Sequence, residues 1–235
     1  MKKLFLIFLI FGITQTVWAQ NLNIFSLGGG AFFGNDSGGG IEGRISIPGQ
    51  SVIFSVPLKY NGGGAFVFFD VKYLKADIGL YFGGGACELI TGMPYNQSQE
   101  IGDFSFTSLN LGLSGKYPFT VSPKIIIFPL LGFDYKSILN AVIDDEKVVK
   151  PEDWSQFWFK FGGGLDYQFN KKWFLRFDIL YGFRLASRAE KDLIETINEY
   201  FDFFASQIDD ISPKLSIDTI PGKGLTAKIS VGYRF

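Results

Sequence analysis

The last eleven residues of the chain alternate strictly between apolar and polar side chains. From Leu225 to Phe235 the odd-numbered positions are Leu, Ala, Ile, Val, Tyr and Phe, and the even-numbered positions are Thr, Lys, Ser, Gly and Arg. Because successive side chains of a β-strand point to opposite faces, the segment predicts a strand with one apolar and one polar face. The segments 156–169 and 173–184 show the same period, with aromatic residues on one face and charges on the other.

The whole chain can be divided into segments of this kind and the links between them. The predicted strands are 22–33, 64–74, 77–88, 103–116, 124–137, 156–169, 173–184 and 224–235. The short links are Lys75-Ala76, Tyr117–Pro123 and Asn170–Lys172, and the long links are 34–63, 89–102, 138–155 and 185–223. Short and long links therefore alternate, as they do in transmembrane β-barrels, which have short turns at one end and long loops at the other.

The apolar faces could point inward, as in a soluble sandwich, or outward into lipid. Two features favour the outward arrangement. Aromatic residues occur at both ends of the apolar faces, as in the girdles of a membrane barrel, and the strand lengths suit a tilted crossing of about 9–11 residues. The sequence thus predicts an all-β fold, a closed antiparallel up-and-down transmembrane β-barrel of eight strands.

A ten-stranded barrel is the alternative. Residues 41–47 and 52–60 also alternate, and the sequence Pro48-Gly49-Gln50 between them suits a tight turn. Pro57 lacks the amide hydrogen that a closed ladder needs, which favours a hairpin standing above the membrane and therefore eight strands.

The N-terminus has the pattern of a secretory signal peptide. Met1-Lys2-Lys3 is followed by an apolar run from Leu4 to Ile13, and Ala19 offers a small residue before the cleavage point. We expect residues 1–19 to be the signal peptide and residues 20–235 to form one barrel domain in the outer membrane. The single cysteine, Cys87, excludes an internal disulfide, and the net charge of −1 argues against a nucleic-acid partner.

The C-terminal segment "SVGYRF", together with the signal peptide and the repeated alternation, resembles the small outer-membrane β-barrels of Gram-negative envelopes. The resemblance is to the eight-stranded class that includes the OmpA membrane domain, OmpX and OmpW. It implies outer-membrane lipid and the barrel-assembly machinery as partners, with Val231, Tyr233 and Phe235 forming the assembly signal. It also suggests two activities, namely transport of small hydrophobic molecules or interaction with an extracellular partner.

The polar faces predict a charged bore. The inward charges are of both signs, and they are expected to pair because an unpaired charge in a narrow interior costs several kcal/mol. The predicted set is Asp70, Lys72, Asp77, Lys116, Asp134, Lys136, Lys160, Asp166, Arg176, Asp178, Arg184, Lys228 and Arg234. A salt-bridged plug is favoured over an ion path. The inward glycines of the repeated triplets, such as Gly162 and Gly164, are interpreted as room for large inward side chains.

Catalytic chemistry finds little support. The chain contains no histidine, which excludes Ser-His-Asp and Cys-His nucleophiles and the usual zinc sites. The outer-membrane barrel proteases and lipid-modifying barrel enzymes depend on a catalytic histidine. Because this chain has none, it does not resemble those enzymes at the catalytic residue. Asp144-Asp145 and Asp209-Asp210 are interpreted as solvated surface, with a weak divalent-cation site as the alternative. No catalytic, metal or cofactor site is predicted.

The longest link contains a predicted amphipathic helix over residues 188–208. Its apolar residues recur at helical spacing, and Ser187 and Glu190 have the spacing of a capping box. The apolar face is expected to pack on the barrel rim or on the 34–63 loop. The alternative is a lid or a ligand- or partner-binding surface formed by Trp154, Leu193, Ile197, Phe201 and Phe204.

The predicted function is that of a non-enzymatic outer-membrane barrel, acting through its loops or as a narrow pore. A secreted soluble ligand-binding barrel of the lipocalin type is the alternative. It would require a polar exterior, whereas the exterior predicted here is apolar.

Overall fold

The computed structural model of the chain describes residues 25–47, 49–92, 97–148, 150–185 and 214–235, with residues 194, 195, 197–199, 201 and 202 between the last two ranges. The predicted signal peptide and the Asp209-Asp210 pair lie outside the described residues. Almost every described residue belongs to an antiparallel sheet. Its strands are β1 (Phe25–Ile47), β2 (Gln50–Val71), β3 (Leu74–Gly92), β4 (Gln97–Lys116), β5 (Phe119–Ser122), β6 (Ile125–Ile143), β7 (Glu146–Lys147), β8 (Gln156–Gln168), β9 (Trp173–Arg184), β10 (Lys214–Ile220) and β11 (Gly222–Arg234).

Eight of these strands form a closed ring. The order around it is β1, β2, β3, β4, β6, β8, β9 and β11, and pairing of β11 with β1 completes the circle. Each strand pairs with its sequence neighbour, as in an up-and-down barrel. The predicted eight-stranded barrel is therefore confirmed, and the ten-stranded alternative is wrong.

The two ends of the barrel differ. One end, the turn end, carries the first and last described residues and the short connections at 72–73, 117–124 and 169–172. The other end, the hairpin end, carries the long β1–β2 hairpin, whose strands pair as far as Ile47 and Gln50.

The ring has an apolar outside and a polar inside. The exposed residues of β11 include Leu225, Ile229 and Val231, whereas Thr226, Lys228 and Ser230 of the same strand are buried. Phe177 and Ile179 of β9 are likewise exposed, on either side of the buried Asp178. This is the reverse of a soluble barrel, and it matches the outward apolar arrangement predicted from the alternation.

The strands extend farther at the hairpin end than the sequence predicts. Most of the predicted loop 34–63 is strand, because β1 and β2 continue through it until Ile47 pairs with Gln50. β3, β4 and β6 are also longer than predicted, and β10 lies within the predicted loop 185–223. β10 pairs with the outer half of β1, from Gly40 to Ser46.

One short turn was misplaced in the sequence prediction. The β2–β3 turn lies at Lys72-Tyr73, not at Lys75-Ala76. Lys72 adopts a positive φ of 42° there. The shift places Lys75 inside β3, where its side chain is buried in the bore.

A helix is present in the last long connection, as predicted. Ile194, Glu195, Ile197–Glu199, Phe201 and Asp202 are helical, and the apolar members are half-buried while the acidic members are exposed. Leu193, Phe204 and the other predicted helix residues lie outside the described part of the chain. Among the described residues, no helix is long and apolar enough to cross a membrane.

Candidate functional site

The candidate site is the interior of the barrel, which contains three groups of charged side chains stacked along its axis. We name them the turn-end cluster, the central cluster and the hairpin-end cluster. Each strand contributes to them through its inward positions, because the period of two directs every second side chain to the bore.

The turn-end cluster is centred on Arg176. Its Nε and Nη2 donate to the two carboxylate oxygens of Asp166, at 2.7 and 2.9 Å, and its Nη1 lies 2.7 Å from Asp70 Oδ2. Lys116 Nζ lies 2.5 Å from the same oxygen of Asp70, and Arg234 Nη2 donates to Asp166 at 2.9 Å. Three cations thus share two carboxylates, which leaves the cluster with one positive charge in excess.

Arg176 is also enclosed by aromatic rings. The guanidinium carbon lies 4.7 to 5.0 Å from the ring centroids of Phe68, Phe128 and Phe174. A guanidinium at this distance from ring faces gains cation–π attraction in addition to its ion pairs.

The central cluster is electrically balanced. Its members are Lys75, Asp77, Asp134, Lys160, Asp178 and Lys228. The Lys228–Asp77 and Lys160–Asp134 ion pairs measure 2.8 and 2.6 Å, and Lys75 pairs closely with Asp178. Each carboxylate has at least one ammonium partner, so little uncompensated charge remains at this level.

The hairpin-end cluster surrounds the Lys136 ammonium. Lys136 Nζ lies 2.5 Å from Asp36 Oδ2 and 4.8 to 5.2 Å from the ring centroids of Tyr60, Tyr81 and Trp158. All of these side chains are buried.

Gln156 completes the hairpin-end cluster. Its Oε1 accepts hydrogen bonds from the Tyr60 hydroxyl at 2.8 Å and from Trp158 Nε1 at 3.0 Å. The Arg184 side chain lies at the same level, against the backbone at Gly39. The outer level of the bore is therefore a closed packing of rings around one ion pair.

Glycines give these large inward side chains their room. A Cβ on Gly164 would lie 2.3 Å from the Phe128 ring, and one on Gly28 would lie 2.5 Å from the Phe68 ring. The interpretation of the triplet glycines as packing positions fits these distances, since a side chain there would need the barrel wall to move.

Small cavities lie among the described side chains of the bore. A cavity of about 10 Å³ lies between the central and hairpin-end clusters, and one of about 30 Å³ lies beside the turn-end cluster. A water molecule needs about 10–15 Å³ measured in this way, so the smaller cavity can hold about one water and the larger about two.

Most of the predicted bore residues lie where the alternation places them. The following lie in the bore: Asp70, Asp77, Lys116, Asp134, Lys136, Lys160, Asp166, Arg176, Asp178, Arg184, Lys228 and Arg234. Lys72 differs, because it lies in the β2–β3 turn with its ammonium 4.8 Å from the centroid of the Tyr73 ring. It lines the cavity at the turn end, and none of the described ion pairs includes it.

The sequence prediction missed two charges of the bore, Lys75 and Asp36. The sequence places Lys75 in a predicted turn and Asp36 in a predicted loop. Each nevertheless keeps the inward parity of its strand, because Asp36 lies four positions after Phe32 and Lys75 lies two positions before Asp77. Extending the alternation past the assumed strand ends would have found both.

The predicted loop surface is only partly brought together. Trp154 ends a short 3-10 helix (Pro151–Trp154) and is packed against the aromatic interior together with Phe104 and Val148. Ile197 and Phe201 lie on the half-buried side of the loop helix.

Cys87 and Asp144 lie close together at the hairpin end, beyond the apolar band. Burial and the nearby carboxylates of Asp144 and Asp103 raise the pKa of the half-buried Cys87 thiol. Asp144 Oδ1 accepts a hydrogen bond from the Asp103 amide at 3.0 Å, which anchors the β6–β7 turn to β4. Among the described residues, no group of three His, Cys, Asp or Glu side chains could hold a metal ion.

No protein-family model and no curated protein sequence matches this chain. Solved structures with similar folds include OprG from Pseudomonas aeruginosa, at 11% identity and a TM-score of 0.43, covering 91% of this chain and 96% of OprG. Neisserial surface protein A has 11% identity and a TM-score of 0.41, covering 88% and 99% of the two chains. The outer membrane protease OmpT from Escherichia coli has 6% identity and a TM-score of 0.39, covering 92% and 100%.

The sequence identity to each of these structures is 11% or lower. The fold assignment rests on the strand pairings and on the distribution of polar and apolar faces. By those criteria the protein has the fold of the small outer-membrane β-barrels that its sequence resembles.

Proposed function

We propose that this chain is a non-enzymatic outer-membrane β-barrel with a sealed bore, acting through the surface that its hairpin end presents outside the cell. The observation that carries the proposal is the filling of the bore. Three clusters of ion pairs and aromatic rings occupy it, and the cavities between them have room for one or two waters. Such a barrel can anchor its hairpin end in the membrane and display it outside the cell, whereas a pore would need a connected passage.

The apolar exterior supports the membrane location. Exposed residues such as Phe33, Phe82 and Phe177 would cost about 25 cal/mol per Å² if they faced water. Lipid removes that cost. Beyond this band the outward residues become polar, as at Asn35 and Asn61, which is the change expected where strands leave the bilayer.

The hairpin end is tall enough to project beyond the membrane. Taking about 3.3 Å per residue and a tilt of about 40°, the 23 residues of β1 rise roughly 58 Å, about twice the ~30 Å hydrocarbon core. The β1–β2 hairpin, with β10 beside it, therefore supports a role in contacting molecules outside the cell. By the resemblance to OmpX-like barrels, the partner would be extracellular.

The lack of histidine supports a non-enzymatic role, since the common general base is missing. The buried carboxylates do not replace it, because those of the central and turn-end clusters are held by cations and enclosed by side chains.

Conductance in planar bilayers tests the sealed bore. The refolded protein should insert without producing current steps, while a large-pore porin in the same bilayer shows them. Reproducible steps from the wild-type protein would instead support narrow-pore transport of small molecules.

Cell fractionation tests the location. The protein should sediment with outer membranes and require detergent for release, and protease added to intact cells should cleave only at the hairpin end. Release from the periplasm without detergent would support the soluble, lipocalin-like alternative.

A further inference from the structure

The turn end of the barrel carries a ring of lysines without a matching acidic residue. Lys72, Lys124, Lys171 and Lys172 lie in three separate turns, and the turn residues 72–73, 117–124 and 169–172 include no Asp or Glu. The carboxylates nearest in sequence, Asp70 and Asp166, are buried in the bore and already paired. The charged side chains of these three described turns are therefore all cationic.

Aromatic residues fix the level of these lysines relative to the lipid. Tyr73, Tyr167 and Trp173 are exposed at the turn end, and exposed Tyr and Trp residues occupy the headgroup layer of a membrane. The Lys72 ammonium lies 4.8 Å from the Tyr73 ring centroid, and the Lys172 ammonium lies 5.6 Å from that of Tyr233. Lys72 and Lys172 thus lie at the depth of the lipid headgroups, and Lys171 adjoins Lys172 in the same turn.

We infer that this lysine ring binds the headgroups of anionic phospholipids, such as phosphatidylglycerol, in the leaflet that faces the turn end. The inference rests on the proposed membrane location. Lysine ammoniums near an anionic lipid surface attract it, and the attraction declines within a Debye length. The hairpin end differs, because its exposed lysines alternate with acidic residues such as Glu88, which pairs with Lys59 at 3.2 Å.

Quenching of tryptophan fluorescence by brominated lipids can measure the local lipid composition. Trp173 is 47% exposed, whereas Trp158 is buried and Trp154 packs against the interior. Trp173 is therefore the reporter at the turn-end rim. The protein is refolded into two vesicle preparations of the same phosphatidylcholine and phosphatidylglycerol mixture, with bromine on only one of the two lipids, so that surface charge is constant. The Trp173→Phe variant identifies the signal that belongs to this residue.

The expected result is an excess of phosphatidylglycerol around Trp173 of at least about twofold over its bulk fraction. The fourfold variant Lys72→Gln, Lys124→Gln, Lys171→Gln and Lys172→Gln should bring the ratio to one. Because the Debye length decreases from about 10 Å at 0.1 M salt to about 3 Å at 1 M, high salt should also reduce the excess.

A matched control exchanges four exposed lysines at the other end. Lys59, Lys147, Lys150 and Lys223 become Gln, which removes the same net charge from the protein. The control should keep the excess around Trp173. The inference would be overturned if the wild type showed no excess of phosphatidylglycerol around Trp173. It would also be overturned if the excess survived in the turn-end variant, or if the turn-end and control variants lost it equally. Failure of the proposed membrane location would look different, since neither brominated lipid would quench Trp173.

Discussion

Replacing Arg176 with methionine should be among the most destabilising single changes in the bore. The side chain is 1% exposed and contacts both carboxylates of the turn-end cluster. Methionine has a similar length and removes the charge and all the polar contacts. Removing one partner of a buried ion pair typically costs about 3–5 kcal/mol, because the other partner is left uncompensated.

The structure places the expected cost at the lower end of that range. Without Arg176, Asp70 still contacts Lys116 and Asp166 still contacts Arg234, so each carboxylate keeps one cation. The cost then comes from the lost charge-assisted hydrogen bonds to Asp166 and the lost contact with Asp70. We therefore expect the free energy of unfolding to decrease by about 3 kcal/mol, roughly a 150-fold change in the unfolding equilibrium constant. Arg176→Lys should recover part of the loss, because it restores the charge but cannot form the bidentate contact.

Denaturant titration in lipid vesicles, followed by tryptophan fluorescence, measures these differences. Arg44→Met serves as the control, since Arg44 is exposed on the outer half of β1 and exposed ion pairs contribute only about 0–1 kcal/mol. If Arg176→Met unfolds at the same denaturant concentration as Arg44→Met, the turn-end cluster does not stabilise the barrel and the reasoning is refuted.

Three further predictions concern packing, reactivity and a buried hydrogen-bond acceptor. Gly64→Ala should lower the unfolding free energy by about 1–3 kcal/mol, because its Cβ would overlap a neighbouring backbone carbonyl. Gly115→Ala should cost little, because the nearest atom to its Cβ would be 3.7 Å away. Equal denaturation midpoints for the two variants would contradict this. Alkylation of Cys87 should reach half its maximal rate at a higher pH than alkylation of a free thiol, since a raised pKa means less thiolate at any given pH. Asp103→Asn should move the pH–rate profile to lower pH, because one nearby negative charge is removed. An unchanged pH–rate profile would argue against the effect of the carboxylate. Gln156→Leu should lower the unfolding free energy by about 1–3 kcal/mol because two ring donors lose their acceptor, and a stability equal to wild type would show that water replaces it.

The sequence predicted the sides of the sheet well because one physical constraint governs every position in the membrane band. In β11, Leu225 to Arg234 must alternate between lipid and a charged bore, so the pattern determines both the period and the direction of each side chain. The same parity predicted which charged residues of β8, β9 and β11 point into the bore, and their positions agree with it.

The strand ends could not be read in the same way, because the polarity of the two faces reverses beyond the membrane band. In the outer half of β1, Glu42 and Arg44 face outward and are exposed, while Ile41 faces inward and is buried. A register shift lies between Ser37 and Gly40, where Gly40 has a φ of 135°. A pattern that changes parity and polarity over a few residues resembles the end of a strand, although the strand continues.

The β2–β3 turn was misplaced for a related reason. Lys72-Tyr73 contains none of the Gly, Pro, Asn or Asp residues that usually mark a turn. The partners of each charge were also beyond prediction, because they depend on which strands meet across the bore. Lys136 and Asp36, which are 100 residues apart, form one such pair.

Site-directed spin labelling along β11 tests the central claim most directly. Each residue from Leu225 to Tyr233 is replaced in turn by a labelled cysteine in a Cys87→Ser background, and the refolded protein is examined in vesicles. We expect a period of two, in which labels at odd-numbered positions collide with oxygen dissolved in the lipid, while labels at even-numbered positions are shielded from it. Odd-numbered labels that collide instead with a water-soluble relaxation agent would show that the apolar face meets water, and would contradict the membrane barrel.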